Sequence, residues 1–226
     1  MVSLANARVA FFSDPRTTWP PAGSLLLDGF EFSSFTGNAA FDWKSRLDWL
    51  ERSQPEAFNP QPYTNLSSAL KRAGHDFDSR MVSIGRNRRA RSYMQPLSPR
   101  WVANWLMEVT CGHGYRPWLA ILWGAAFILI GAVVFDLNDD ERIQLKPITS
   151  VAVPESARRY PTYRALIYSA DTFLPIVNLQ QKDNWVPNEN LGKGSRAKLY
   201  LPFHILAGWF FTTLFVGGVT GLIRRE

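Results

Sequence analysis

The chain has one cysteine and three histidines in 226 residues, and this shortage excludes several kinds of site. Cys111 alone permits no intramolecular disulfide and no cysteine-built zinc or iron–sulfur centre. The three histidines, His75, His113 and His204, are scattered and form no cluster with metal-ligand spacing. We therefore expect no structural metal.

Motifs for cofactor binding and for hydrolysis are also missing. The sequence contains no Gly-x-Gly-x-x-Gly after a strand, no Cys-x-x-Cys and no histidine pair for a haem. It contains neither Gly-x-Ser-x-Gly nor His-Glu-x-x-His. The glycines of the string CGHGYRP precede an apolar stretch and indicate a hinge. From these absences we predict no cofactor and no catalytic residue.

Charge is sparse and uneven. Charged residues make up 19% of the chain against 46% hydrophobic residues, which excludes disorder as the main state, and the net charge is +6. Such an excess suits nucleic acid or anionic lipid. The basic run of Arg86, Arg88, Arg89 and Arg91 precedes an apolar stretch and lacks a groove-reading motif, so we predict lipid of the inner leaflet and no nucleic acid. The alternative, that these arginines only set topology, stays open.

Two long apolar stretches, 117–136 and 201–223, predict two transmembrane helices. Lys71 to Arg116 carries nine basic residues against three acidic ones, so this flank is expected in the cytoplasm. Arg224 and Arg225 follow the second stretch and agree with that orientation. We therefore expect a multi-pass protein of the bacterial inner membrane, with both termini cytoplasmic and residues 137–200 outside.

The remaining segments complete the predicted fold class. Alternating apolar residues predict a short β segment at 1–38, and helical periodicity predicts a cytoplasmic helical module at 40–95 that contains a helix pair. Residues 98–112 form a tryptophan-bearing amphipathic stripe that is typical of a helix in the headgroup layer. The fold class predicted is a mainly α membrane protein with two transmembrane helices, a cytoplasmic helix pair and a short N-terminal β remnant.

The exterior loop contains the strongest candidate for a further role. A short membrane-associated helix is predicted at 161–174, where it is stopped by Pro175, and an extended strip follows. Asp171 and Asn178 are the polar groups that could face a lumen if this segment were the re-entrant loop of an oligomeric pore. The alternative is an amphipathic helix on the outer leaflet. The absence of glycine from the extended strip favours this alternative, because a potassium-type filter sequence contains glycine.

Glycines in the second apolar stretch predict helix packing. Gly217 and Gly221 form a Gly-x-x-x-Gly pair, which lets two helix backbones approach closely. We therefore expect a homo-oligomer or a partner membrane protein.

Four strings carry a resemblance to a known family: NPQPYTNLSSALKRAGHDFDSR, GYRPWLAILWG, YSADTFLPIVNL and LAGWFFTTLFVGGVTGLIRR. They resemble the C-terminal region of a family of bacterial, mostly actinobacterial, membrane proteins whose larger members carry a pentapeptide-like β-helix in front. The resemblance covers 2–225 in patches and implies that 1–38 corresponds to the last rungs of that β-helix. Members are often labelled membrane-associated oxidoreductases, which implies a redox activity.

These observations predict a membrane anchor or scaffold that presents a cytoplasmic helical module. An oligomeric ion-conducting pore with a re-entrant loop at 161–180 is the first alternative. The oxidoreductase activity implied by the family label is the second.

Overall fold

The computed structural model describes residues 1–53, 57–138, 141–144, 161–190 and 192–223. These residues are mainly helical. Their strands are β1 (Val2–Ser3), β2 (Arg8–Phe12), β3 (Leu25–Leu26), β4 (Glu31–Phe35), β5 (Arg142–Gln144) and β6 (Trp185–Pro187). Their α-helices are α1 (Trp43–Glu51), α2 (Gln61–Arg72), α3 (Asp76–Ser92), α4 (Pro99–Cys111), α5 (Trp118–Val134), α6 (Ala165–Phe173) and α7 (Gly192–Val219). Arg224 and Arg225, which agreed with the predicted membrane orientation, lie outside the described residues.

The chain divides into two units, an N-terminal unit of Met1–Tyr115 and a C-terminal unit of Arg116–Ile223. The N-terminal unit contains the parallel strands and α1 to α4. The C-terminal unit contains α5 to α7 and the antiparallel pair β5–β6. Sequence reasoning missed that pair, because each of its strands has three residues and alternation over so short a length carries no signal.

The β segment consists of two stacked coils. β1 pairs with β3 and β2 with β4, both in parallel, and each partner is 23 residues further along the chain (Val2 with Leu25, Arg8 with Glu31). The turns correspond too, since Asn6 and Gly29 both have a left-handed φ, of 57° and 73°. A constant offset of this kind is the geometry of successive coils in a solenoid. The implied relation to a pentapeptide-like β-helix stays a prediction.

The core of the N-terminal unit lies where these coils meet α1 and α2. Large apolar side chains from both sides are almost fully buried there: Leu25, Leu27, Phe30, Phe32, Phe35, Trp49, Leu50, Leu66 and Leu70. Burial of each such side chain contributes about 1.5–3 kcal/mol, so this cluster dominates the stability of the unit. On α3, Met81 and Ile84 are buried, whereas Phe77, an apolar residue at a similar helical spacing, is 61% exposed.

Local signals set the helix starts. Asn59 Oδ1 accepts from the Gln61 N–H beside Pro60, and Ser98 Oγ accepts from the Trp101 N–H at the start of α4. Between α2 and α3 the chain turns at Gly74, whose φ of +82° requires the left-handed region that glycine adopts without a steric penalty.

A buried ion pair ties the coils to α1. The guanidinium of Arg46, fully buried, donates to both carboxylate oxygens of Asp14 at 2.7 Å and also to the Ala40 carbonyl. It lies 4.2 Å from the centre of the Phe35 ring. Two parallel N–H donors of the guanidinium thus meet two carboxylate oxygens. This bidentate ion pair compensates the positive charge of Arg46, which would otherwise be costly to bury.

Helix bounds in the C-terminal unit correct the prediction. α7 begins at Gly192, nine residues before the predicted start at 201, and ends at Val219 instead of 223. Likewise, α6 spans Ala165–Phe173, because Arg164 is extended. The predicted bounds followed hydropathy, whereas a helix begins where backbone hydrogen bonding begins, and the polar turn at Lys193 and Ser195 satisfies that condition without being apolar.

Among the described residues, α7 is the one helix long and apolar enough to cross a bilayer by itself. α5 has 17 residues and reaches the required length only together with α4, from which it is separated by a break at 115–117. The structure thus contains one candidate spanning helix where two were predicted.

Candidate functional site

Helix α6 is inserted between α5 and α7. Ser169 contacts Gly131 of α5 and His204 of α7, and one turn further on Phe173 contacts Gly124 and Gly208. From Ser169 to Phe173, the residue contacted on α5 moves toward the N-terminus of α5, and the residue contacted on α7 moves toward the C-terminus of α7. Helix α6 therefore runs antiparallel to α5 and parallel to α7. From Val134 to Gly124 the helix rises about 15 Å. The C-terminal end of α6 therefore lies far from the C-terminal end of α5, beside which α6 begins.

Glycines on α5 and α7 make this insertion possible. A Cβ atom on Gly208 would overlap the carbonyl oxygen of Phe173, and one on Gly131 would overlap Ser169 Oγ and the His204 ring. Gly124 admits the Phe173 ring, at 3.3 Å from its Cε1 atom to the position of an added Cβ. No larger residue fits at Gly208, because the clash there is with backbone.

A polar cluster lies at the centre of the three helices. Ser169 Oγ donates to the Ile128 carbonyl at 2.8 Å, so it cannot also donate to His204. His204, fully buried, therefore carries its proton on Nε2 and donates it to the Ser169 carbonyl at 3.1 Å, while Nδ1 accepts from the Tyr200 hydroxyl at 3.2 Å. Every polar atom of the ring has a partner, so the cluster locks the three helices together.

Asp171 organises the loop that follows α6. Its carboxylate is 1% exposed and accepts the N–H groups of Leu179, Gln181 and Lys182 at 2.7–2.8 Å. The Lys182 ammonium lies 3.7 Å from Asp171 Oδ1 and adds an ion pair to these three backbone hydrogen bonds. The carboxylate therefore closes the turn after α6.

The other two predicted pore residues lie in that turn. Pro175 follows the end of α6, and Ile176 beside it is 82% exposed. Asn178 is exposed; its amide donates to Asp183 and its oxygen accepts from the Gln180 N–H. Within one chain, Asp171 faces its own loop, and Asn178 points to the outside of it. Their role in a pore stays a prediction.

Gly217 and Gly221 do not meet another helix within the described residues. Gly217 lies against the side chain of Ile223, and Gly221 follows the end of α7 with a φ of +78°. The close approach of backbones occurs instead at Gly208. A role for the Gly217–Gly221 pair between chains stays a prediction.

The four arginines of the basic run point in different directions around α3. Arg88 and Arg91 form ion pairs with Glu108 of α4, at 2.5 Å and 2.7 Å. Burial would raise the pKa of Glu108, but hydrogen bonds from both guanidinium groups lower it below its usual range. Arg86 donates to Thr64 of α2, and Arg89 lies 5.5 Å from the centre of the Tyr93 ring. Sequence reasoning missed Glu108 as their acceptor, since no local spacing links residues 17 to 20 apart.

The outer surfaces of α5 and α7 are apolar. On α5 the exposed large side chains are Trp118, Ile121, Leu122, Trp123, Leu129, Ile130 and Val133. On α7 they are Leu199, Phe203, Ile205, Leu206, Trp209, Phe210, Val216 and Val219. Only 22% of the most apolar part of α7 is buried by the rest of the chain, so α7 is not a core helix.

Comparisons with protein-family models, with curated proteins and with solved structures found no match. The family resemblance of the sequence, and the redox activity that it implies, therefore stay predictions. No group of three metal-ligating side chains is present among the residues that the structure describes. Function must accordingly be argued from the geometry of the two units themselves.

Proposed function

We propose that the chain is an anchor protein of the bacterial inner membrane, in which α5 and α7 cross the bilayer and the N-terminal unit is held in the cytoplasm. The observation that carries this proposal is the apolar outer surface of α5 and α7, which surrounds a small-residue and polar interior. In water, such a surface would drive aggregation. In hydrocarbon it is the favourable arrangement, because lipid offers no hydrogen-bond partners and polar groups must be satisfied inside.

The short length of α5 is compatible with this role. Its 17 residues rise about 26 Å, close to the ~30 Å hydrocarbon thickness. Trp118 and Trp123 lie near its N-terminal end, where tryptophan is favoured at a membrane interface. The basic residues from Lys71 to Arg116 precede that end and support a cytoplasmic location for it.

Cysteine accessibility tests both the spans and their orientation. Cys111, which is buried, is replaced with Ser, and single cysteines are placed at Ser53 and Ser195. In intact cells, an impermeant maleimide is expected to label position 195 and to reach position 53 only after permeabilisation. Labelling at 53 but not at 195 in intact cells contradicts the orientation. Extraction of the protein by alkaline carbonate without detergent contradicts the membrane anchor.

A second candidate function, an ion-conducting pore, is favoured by the position of α6. The helix enters beside the C-terminal end of α5, ends at Phe173 about half-way along α5, and the chain returns through the loop held by Asp171. Half-helices followed by extended backbone are tolerated at membrane depth where they face protein or water. A pore would need several chains around an axis, with these loops facing it.

Planar bilayers separate the pore from the anchor. Because Asp171 holds the loop, its substitution tests folding more than conduction, and Asn178→Ala is the sharper variant. A verified oligomer whose current changes with Asn178→Ala, but not with Asn190→Ala, an exposed asparagine that precedes α7, supports the pore. If a verified oligomer carries no ion current, the pore is contradicted and the anchor remains the proposed function.

A further inference from the structure

Helix α4 packs on α3 through polar side chains. Glu108 of α4 forms ion pairs with Arg88 and Arg91 of α3. Asn104 adds two hydrogen bonds to the same helix, because its amide donates to the Asn87 carbonyl at 3.2 Å and its oxygen accepts from Arg91 at 3.4 Å. The side of α4 that is turned toward the N-terminal unit is therefore its polar side.

The apolar side chains of α4 lie on a different side of the helix and are open. Val102, Trp105 and Leu106 have the i, i+3, i+4 spacing of one helix face and are 41%, 44% and 37% exposed. Leu97, directly before the cap Ser98, is 79% exposed. We call Leu97, Val102, Trp105 and Leu106 the α4 face. A contiguous apolar surface of this kind marks a site that another molecule covers.

The charge around the α4 face is positive. Glu108 is the one carboxylate of α4, and its side chain is only 15% exposed because it lies against α3. Arg100, in the first turn of α4, is exposed. Apolar side chains, a tryptophan and a cation on one surface match the headgroup layer of an anionic membrane, where tryptophan is favoured and basic residues are attracted.

Chain length keeps the α4 face near the proposed membrane. Helix α4 ends at Cys111 and α5 begins at Trp118. The seven residues from one to the other span at most about 25 Å when fully extended. If α5 crosses the bilayer with its N-terminal end at the cytoplasmic surface, the end of α4 lies no further than this from the headgroups. A partner protein would have to be recruited to the α4 face, whereas lipid is already beside it.

We propose that the α4 face lies in the headgroup layer of the inner leaflet. The inference rests on the proposed membrane function and adds a second lipid contact, made by the N-terminal unit. It also gives two arginines of the basic run another role. Arg88 and Arg91 support the α4 face through Glu108, and the apolar side chains of α4 make the lipid contact.

Spin-label accessibility tests the proposal on the full chain in nanodiscs that contain phosphatidylglycerol. Cys111 is replaced with Ser, and a single labelled cysteine is placed at Leu106. The matched control is a label at Phe77, an exposed apolar residue of the same unit that lies between two aspartates. A third label, at the exposed Leu206 of α7, tests the membrane span independently. Oxygen, which concentrates in hydrocarbon, and a water-soluble nickel chelate are the two relaxation agents.

We expect the ratio of oxygen to nickel accessibility to be about fivefold higher at position 106 than at position 77. The double variant Val102→Gln, Trp105→Gln should lower the ratio at position 106 at least about twofold, because it removes apolar side chains and leaves the ion pairs of Glu108 in place. Phe77→Gln should leave that ratio unchanged. Hydrogen exchange of α3 and α4 peptides verifies that each variant is folded.

Three results would overturn the inference. Equal ratios at positions 106 and 77, with oxygen still favoured at position 206, contradict the lipid contact of α4 and leave the membrane anchor standing; nickel access at position 206 contradicts the anchor as well. A label at position 106 that is shielded from both agents shows that protein covers the α4 face, and spin–spin broadening then identifies a second copy of the chain. An unchanged ratio in the double variant shows that the α4 face does not make the contact.

Discussion

The two units of this chain differ in what they expose and in the polar groups that they bury. The N-terminal unit buries large aromatic and aliphatic side chains and exposes most of its charge, as in a water-soluble domain. The C-terminal unit also buries aromatic rings such as that of Phe135, but it buries glycines, Ser169, Asp171 and His204 with them and exposes many tryptophan, phenylalanine and leucine side chains. The hydrophobic effect explains the first arrangement but opposes the second in water. The proposed membrane location accounts for this difference, because each interior then satisfies the groups that its own solvent would not satisfy.

The largest effect is expected from breaking the buried ion pair of the N-terminal unit. Asp14→Ala leaves the Arg46 guanidinium buried without its partner, which costs about 3–5 kcal/mol of unfolding free energy. Hydrogen exchange of peptides from α1 and β4 in the full chain measures the loss. The control is Asp48→Ala, which removes an exposed pair with Arg52 and should cost less than about 1 kcal/mol. Equal effects of the two changes contradict a structural role for the buried pair.

In the C-terminal unit, the corresponding test is to enlarge one glycine at the contact between α6 and α7. Gly208→Val places methyl groups where the Phe173 carbonyl lies and should separate α6 from α7, at a cost of about 3 kcal/mol. Thermal unfolding in detergent, followed by exchange of α6 peptides, reports it. Gly217→Val is the matched control, since the nearest atoms there belong to the end of the flexible Ile223 side chain. If Gly217→Val is the more damaging of the two, the predicted packing between chains outweighs the packing of α6.

A smaller effect is expected from pH, and it should appear in the N-terminal unit. Burial lowers the pKa of His113 to about 4, whereas in the unfolded chain it is about 6.5. As pH falls from 7 to 5, the unfolded state takes up a proton that the folded state does not, so stability falls by about 2 kcal/mol. His113→Asn, which tolerates the left-handed φ of 55°, should flatten this slope. The slope should persist in His75→Asn.

The smallest effect is expected from Asp171→Asn. The amide keeps the shape of the carboxylate but presents N–H groups to one of its backbone donors, at a cost of about 1 kcal/mol. Exchange of the 176–184 peptide at neutral pH should therefore be faster in the variant than in the parent protein. The exposed Asp183→Asn serves as control, and an equal effect from it contradicts the role assigned to Asp171.

Local signals determined much of the fold before any tertiary contact was considered. Asn59, Ser98 and Gly74 marked where helices begin and turn, and each signal acts within a few residues, where capping and left-handed φ are decided. The apolar stretches located α5 and α7, because hydropathy depends on composition alone. Their bounds were less accurate, since the first turns of α7 are polar and yet helical.

The tertiary structure decided which residues matter within those elements. Gly124 and Gly131 are seven residues apart and thus on one face of α5, but the sequence alone did not single them out. Their role depends on the insertion of α6, a contact between segments more than 30 residues apart. The pairing of Glu108 with Arg88 and Arg91 likewise results from the packing of α3 against α4. A sequence specifies such contacts only through the fold as a whole, because no local period links residues that meet in space but not along the chain.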